Sequence, residues 1–317
     1  MAQILKIYIK SLLLWAILII EQTRRLGVMP ASVKATLVLF LIAILWGLTF
    51  PFIAMSIKYL SPGVFVVCRL SLATLIFLPL VIKERKGISW ELMKPVLVLG
   101  LFQGLCLLFQ TISLETVPTA NAAFLAASSV VMVPFLAPFF KLPKPKGRDY
   151  LAAFISAVAI AILTGFTLSF AMGDLWALGA AVAYALVINM LHKITQKHSN
   201  TLLITSVQMI GAIPLPFIFA MTDWHVVSWS WTAIAGIAYC AVIATCLVFY
   251  LQTQYQRHVC VTRAALIYAF EPLFATILAV WIQHQPITWP IMIGGSLLLG
   301  GFVISSTRGE SMPAQAS

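Results

Sequence analysis

Charge is scarce in this sequence, and negative charge is scarcer still. Of its 317 residues only 9% are charged, and 9 acids stand against 20 lysines and arginines. Ordinary soluble chains carry about 25% charged residues. With 62% hydrophobic residues as well, no water-soluble core of common make-up fits. The five cysteines, Cys68, Cys106, Cys240, Cys246 and Cys260, are odd in number and show no C-x-x-C spacing. A disulfide framework and a zinc site are therefore not indicated, and these side chains read as small buried hydrophobes. H-E-x-x-H, G-x-S-x-G, a paired-aspartate motif and a Walker loop are all absent from the sequence. That removes the usual signatures of a membrane hydrolase and of a self-contained ATP-driven pump. No metal or cofactor is implied.

What the chain has in abundance is long apolar runs. Residues 35–57, 62–82, 95–114, 119–140, 150–170, 175–191, 201–221, 231–251, 264–282 and 286–305 are each close to the length that crosses a bilayer, roughly 17–25 residues. Ten spans are the simplest reading, giving an all-α integral membrane protein. Eighteen of the twenty basic residues fall on alternate breaks between these runs, among them Lys34, Arg85, Lys86, Lys94, Lys141, Lys193 and Arg257. Lys58, Glu115, Asp174 and Asp223 occupy the other set. The positive-inside rule then predicts that both termini are cytoplasmic and that the protein sits in the cell's inner membrane. A net charge of +11 would otherwise raise nucleic acid as a partner, but these bases mark loops rather than one water-facing patch.

The first 33 residues form a separate amino-terminal segment. Residues 11–20 are as long as a signal-peptide apolar region, yet no small-residue cleavage site follows. They are read as a membrane-surface helix or as an extension preceding a start at Met29. Residues 307–317 form a cytoplasmic tail.

Five spans per half would give two repeats of opposite orientation, residues 34–170 and 171–306, because an odd number of crossings inverts the second copy. Two local alignments support this. Residues 61–69 lie over 200–208, placing Arg69 opposite Gln208, and 119–125 lie over 261–267 at a nearly equal offset.

Ionisable residues inside spans are costly and by default face a bundle interior or a water-filled path. Arg69 and Glu271 are the deep ones. Arg69 lies seven residues from the outer end of its span and Glu271 eight beyond Arg263, or roughly 10 and 12 Å in from opposite faces. With a hydrocarbon core of roughly 30 Å, their side chains are predicted to approach one another. Two roles stay open. Either the pair is structural, each charge neutralising the other or Arg69 bonding free carbonyls, or Arg69 receives an anionic group of a solute while Glu271 carries a coupling proton. Gln103 and Gln110, seven apart on one helix face, and Gln208 add neutral donors and acceptors. Trp46, Tyr184, Tyr239 and Tyr268 lie inside spans rather than in an interfacial belt. Together these residues would suit an amino-acid-like or amphipathic, aromatic solute. Gly100-x-x-x-Gly104 matches a close-packing pattern, prolines 51, 79, 134, 138, 214 and 216 would bend their spans, and the small residues of the last span would permit a homodimer. His192 and His198 flank a loop and are expected in water.

Trp46-Gly47-Leu48-Thr49-Phe50-Pro51, the Pro62…Arg69 span, Glu271-Pro272-Leu273-Phe274 and the glycine-rich stretch 294–301 occur in this order along the ten runs. In these features the chain resembles the EamA-type members of the drug/metabolite transporter superfamily over residues 34–306. The resemblance implies a secondary carrier of small organic solutes working by alternating access, its cavity lined by spans 1–4 and 6–9, with spans 5 and 10 peripheral. The family often carries Gly-Glu after spans 4 and 9. Here Phe140-Lys141-Leu142-Pro143 and Gln283-His284-Gln285-Pro286 stand there, so coupling through those carboxylates is not implied. A passive channel and, less well supported, a membrane enzyme are the other classes. Glu271 is the one acid deep in a span, which leaves two-carboxylate chemistry without a partner, and no filter-like glycine loop is visible.

Overall fold

The computed structural model describes residues 29–84, 89–164, 171–222, 228–283 and 289–306. The expectations for residues 1–28, for the tail 307–317, and for Arg85, Lys86, Asp223 and positions 284–286 fall outside the described residues. Within them the protein is all helical, and no strand is present. Seven helical stretches are long and apolar enough to cross a membrane by length and composition, Ala31–Ser56 through Trp231–His258, and Trp289–Ser305 is a shorter apolar helix.

In chain order the helices are α1 (Ala31–Gly47), α2 (Thr49–Ser56), α3 (Pro62–Glu84), α4 (Trp90–Ser113), α5 (Thr119–Ala127), α6 (Ser129–Leu136) and α7 (Gly147–Thr164). They continue with α8 (Met172–Lys197), α9 (Thr201–Ala212), α10 (Pro214–Thr222), α11 (Trp231–Ala241), α12 (Val248–Tyr255), α13 (Val261–Tyr268), α14 (Glu271–Gln283) and α15 (Trp289–Ser306). A π-helical turn, Val242–Leu247, joins α11 to α12. Side-chain caps set several starts: Ser89, Asn200 and Ser230 accept from the backbone N–H groups of Leu92, Leu203 and Ala233. The Ser89 cap explains why α4 begins at Trp90, before the expected Pro95, which sits inside the helix.

Several of the apolar runs are interrupted part-way rather than continuous, and the interruptions follow from proline chemistry. A proline offers no N–H to the carbonyl four residues earlier and its ring crowds that carbonyl. Pro51 thus precedes no bond to Gly47, Pro216 none to Ala212 and Pro272 none to Tyr268. The chain breaks at Leu48, Ile213 and Ala269–Phe270 accordingly. Ser128 separates α5 from α6 with its hydroxyl turned back onto the Leu125 carbonyl, the kind of competing bond that bends a helix. Pro79 and Pro134, by contrast, sit inside helices.

Packing is built on small residues where backbones meet. A Cβ on Gly100 would run into the Gln208 carbonyl and one on Gly104 into the Ala212 carbonyl, while one on Gly211 would come within 2.8 Å of the Leu97 carbonyl. The Gly100–Gly104 pair is therefore the seam between α4 and α9. Gly104→Leu is expected to destabilise the fold by about 3 kcal/mol or more, since overfilling a packed seam forces backbones apart. Gly147→Ala, where an added Cβ meets nothing within 4 Å, should be neutral. Thermal unfolding in detergent would compare them. The small residues of α15 are largely spent inside the chain. Gly294 and Gly301 pack on Ala159, Leu163, Ala152 and Ser156 of α7, Gly295 meets Leu273, and Gly300 alone of the four faces open space. Ser305 also donates to Asp149 across the same pair of helices at 3.1 Å. His192, expected in water, is instead 9% exposed, because it falls on the inward face of α8, which runs on past Leu191 to Lys197.

Candidate functional site

The interruptions converge on one place. Trp46 and Thr49 flank the break at Leu48, Ala127 and Ser129 flank Ser128, and Tyr268 and Glu271 flank Ala269–Phe270. All six line a single buried cavity of about 50 Å³, room for a few water molecules or a compact part of a solute. Broken helices free backbone groups part-way along a span, and such irregular backbone is tolerated in a membrane only where it borders protein or a wet cavity.

Of the residues singled out from the sequence, Arg69, Trp46, Gln103, Gln110, Tyr184, Tyr268 and Glu271 all line this cavity. Two do not. Gln208 is fully buried behind the wall and donates through Nε2 to Oε1 of Gln103 at 3.2 Å. Tyr239 donates its hydroxyl to the Leu45 carbonyl at 2.8 Å and stacks on Phe52, so it ties α11 to α1 and α2 instead. Tyr239 thus falls outside the cavity: its ring is spent on helix packing.

The aromatic wall is a mutually packed group. The ring of Trp46 meets Tyr184, Tyr268 and Phe249 edge-on, with centroids 5.6, 5.4 and 6.4 Å away, and its Nε1 donates to the Ala244 carbonyl at 3.1 Å. Edge-to-face contacts suit the ring quadrupoles and leave ring faces to address a guest.

Arg69 is 1% exposed. Its Nε donates to Thr245 Oγ1 at 2.7 Å and its Nη2 makes a long contact with the Ala244 carbonyl at 3.5 Å. Among the described residues no ion pair joins Arg69 to Glu271, although both face the same space. Glu271 is half-buried as the first residue of α14, where an acid complements the helix dipole. The cavity is therefore lined by both a guanidinium and a carboxyl group, which are not joined to one another.

Behind Tyr184 and Tyr268 lies a buried amide cluster. Gln252 Nε2 donates to the Tyr184 hydroxyl at 3.2 Å and to Gln256 Oε1 at 3.1 Å. The Tyr268 hydroxyl also donates to Gln256 Oε1, and Gln256 Nε2 donates to the Ile188 carbonyl at 2.8 Å. Both glutamines are fully buried. Sequence reasoning missed them because the apolar run stops at Leu251, whereas the helix continues to Tyr255. Their i, i+4 spacing was the available signal. Thr245, the partner of Arg69, had none, because its role depends on a π turn.

An all-helical bundle with long apolar helices around a buried polar cavity is the construction of a multi-pass integral membrane transporter, and comparison with known proteins agrees. The sequence matches the EamA-like transporter family over residues 33–165 and again over 171–307, and the chain belongs to that family, within the drug/metabolite transporter superfamily. It is 28% identical over 276 residues to an uncharacterized transporter of Archaeoglobus fulgidus, covering 86% of each chain. A solved crystal structure with 16% identity superposes with a TM-score of 0.71 over 86% of this chain and 98% of the other, which shows a shared fold. Family and relative point to a transporter rather than an enzyme.

Proposed function

We propose that the protein is a proton-coupled secondary carrier of small organic metabolites, of amino-acid-like or amphipathic aromatic type, working by alternating access in export or exchange. The observation that carries this reading is that a guanidinium, Arg69, and a carboxyl group, Glu271, line one buried cavity without bonding each other. Arg69 meets an anionic group, Glu271 meets an ammonium group or a proton, and Trp46, Tyr184 and Tyr268 take the apolar body, with Gln103 and Gln110 adding neutral contacts. Burying two ionisable groups at membrane depth costs several kcal/mol, and among the described residues the two do not neutralise one another directly; Arg69 is seated on Thr245 and the Ala244 carbonyl instead.

The proposed architecture is ten spans in two inverted five-helix repeats, residues 34–170 and 171–306, between an amino-terminal segment, 1–33, and a tail, 307–317. The packing pattern supports it. Helix α4 packs on α8 as α11 and α12 pack on α2 and α1, while α3 with α9 and α10, α6 with α13, and α7 with α15 each pair across the halves. Polar links follow the same exchange: Arg69 of α3 reaches the α11–α12 rod, and Gln208 of α9 reaches α4. The matched family segments, 33–165 and 171–307, divide the chain at the same point. Both termini are assigned to the cytoplasmic side of the inner membrane in this proposal, and the loop charges support that orientation. In that orientation the Gln252–Gln256 cluster, which precedes Arg257, lies on the cytoplasmic side of Tyr184 and Tyr268.

Counterflow in proteoliposomes tests this directly. Pools of labelled amino acids, nucleosides and aromatic cations are offered with and without an imposed pH gradient. Saturable counterflow of one pool, accelerated by the gradient, is expected. Flux that never saturates and shows no counterflow would replace the carrier by a channel.

A further inference from the structure

The geometry points to Thr245 as a positioning residue for solute recognition: the π turn holds its hydroxyl against Nε of Arg69, which leaves the Nη edge of the guanidinium to meet a solute carboxylate. The inference rests on the reading of Arg69 as the anion receptor. It adds how the cation is aimed and which residue sets its selectivity.

The polarity of this contact is fixed by a second bond. Thr245 has one hydroxyl proton, and Oγ1 donates it to the Cys240 carbonyl at 2.7 Å. Its lone pairs are then left to accept, and Arg69 Nε–H arrives at 2.7 Å. The reach to Cys240 spans five residues, which is the register of the π turn rather than of an α-helix. The same register acts on the next carbonyl. The Val248 N–H donates to Ile243 O, so the donor that would normally cover the Ala244 carbonyl is withdrawn. That carbonyl instead accepts Trp46 Nε1 at 3.1 Å and lies 3.5 Å from Arg69 Nη2. Single π turns recur at functional sites for this reason, since they expose backbone groups inside an otherwise satisfied helix.

A guanidinium carries five N–H donors in a rigid planar fork. Anchoring Nε to Thr245 fixes both the position and the plane of that fork. Arg69 lines the cavity, and among the described residues no partner is found for Nη1. The unspent donors are two on Nη1 and one on Nη2, on the edge of the guanidinium that matches a carboxylate bidentately. Without the Thr245 hydroxyl the fork would be free to turn Nε or Nη2 toward Ala244, and the donor pair would lose its aim. Thr245 would not touch the solute, so its effect should be confined to solutes that carry a carboxylate.

The test uses the full chain in lipid nanodiscs, with L-phenylalanine and L-phenylalaninamide as probes. The amide keeps the ring and the ammonium group and lacks the carboxylate. Affinities are measured for the wild type, Thr245→Val, which keeps the shape and loses the hydroxyl, and Thr245→Ser, which keeps the hydroxyl. The wild type is expected to prefer phenylalanine. Thr245→Val should weaken phenylalanine by about tenfold while leaving the amide unchanged, and Thr245→Ser should restore the preference. Unchanged amide binding also certifies that the variant is folded. A Thr245→Val protein that retains the full preference overturns the role of Thr245 alone and leaves Arg69 as receptor. Equal loss for both probes, or no rescue by serine, assigns Thr245 a structural role and also overturns the inference. A wild type that shows no preference for the carboxylate, or binds neither probe, overturns the reading of Arg69 and the inference with it.

Discussion

Arg69→Gln is expected to weaken a carboxylate-bearing solute by about 3 kcal/mol, roughly a hundredfold in affinity, because hydrogen bonds to a charged partner in a dry site are worth about that much. The substitution keeps a planar group with two N–H donors but removes the charge. The glutamine amide ends near the position of Arg69 Nε and can still address the Thr245 hydroxyl. For that reason the fold is expected to survive, with an elution profile and melting temperature close to those of the wild type. The discriminating measurement is binding of a zwitterionic solute and of its carboxyl amide to the same purified sample. Loss of the first with retention of the second identifies Arg69 as the anion receptor. Collapse of the protein in detergent would instead make Arg69 a structural cation whose charge the bundle needs.

Glu271→Gln should separate exchange from accumulation. If the Glu271 carboxylate takes up and releases the coupling proton, a one-unit pH gradient of the correct sign drives about tenfold accumulation in the wild type, the equivalent of about 1.4 kcal/mol. The variant, which has no proton to exchange, should equilibrate solute with no accumulation and still show counterflow. The geometry makes this a clean substitution. Among the described residues the Glu271 side chain makes no hydrogen bond or ion pair, and it borders open cavity, so an amide of the same shape leaves no broken partner behind. Accumulation that persists in the variant would take Glu271 out of the coupling role.

The two substitutions also divide the cavity's work. Arg69 is seated in the wall by a bond to a neighbouring helix, as a fixed receptor should be. Glu271 stands at the first turn of a helix that begins after a two-residue break, next to a proline. The proposed proton coupling would require the two segments of that rod to move against one another, so that the surroundings of Glu271 change between uptake and release.

Much of this was legible from one dimension. The apolar runs give the helices, because a 20-residue apolar segment has few other ways to satisfy its backbone in lipid. The scarcity of charge makes each buried ionisable residue conspicuous, and so Arg69, Glu271 and the in-span glutamines and aromatics stand out. Most of those residues do meet at one cavity. Tyr239 and Gln208 look the same in the sequence and lie elsewhere, since a polar side chain inside a helix satisfies itself equally well on a neighbouring carbonyl or on another side chain. Helix ends were misplaced where a cap or an inward-facing polar stretch extended the helix past the apolar run, as at Trp90 and at Gln252–Gln256.

The sequence by itself determined the membrane class, the family and the identities of the rare charged groups, because these follow from composition, run length and motif order. Only the tertiary structure decided which of them face one another. The breaks at Leu48, Ser128 and Ala269–Phe270 are local, but that they fall at one depth and enclose one space depends on how α1, α5 and α13 are packed. The π turn is the sharpest case. Nothing in Val242–Leu247 announces a change of register, yet that register frees the Ala244 carbonyl and turns Thr245 onto Arg69. A buried cation that must find an acceptor, and a helix that can widen by one residue to supply it, settle their geometry together only when the two are in contact.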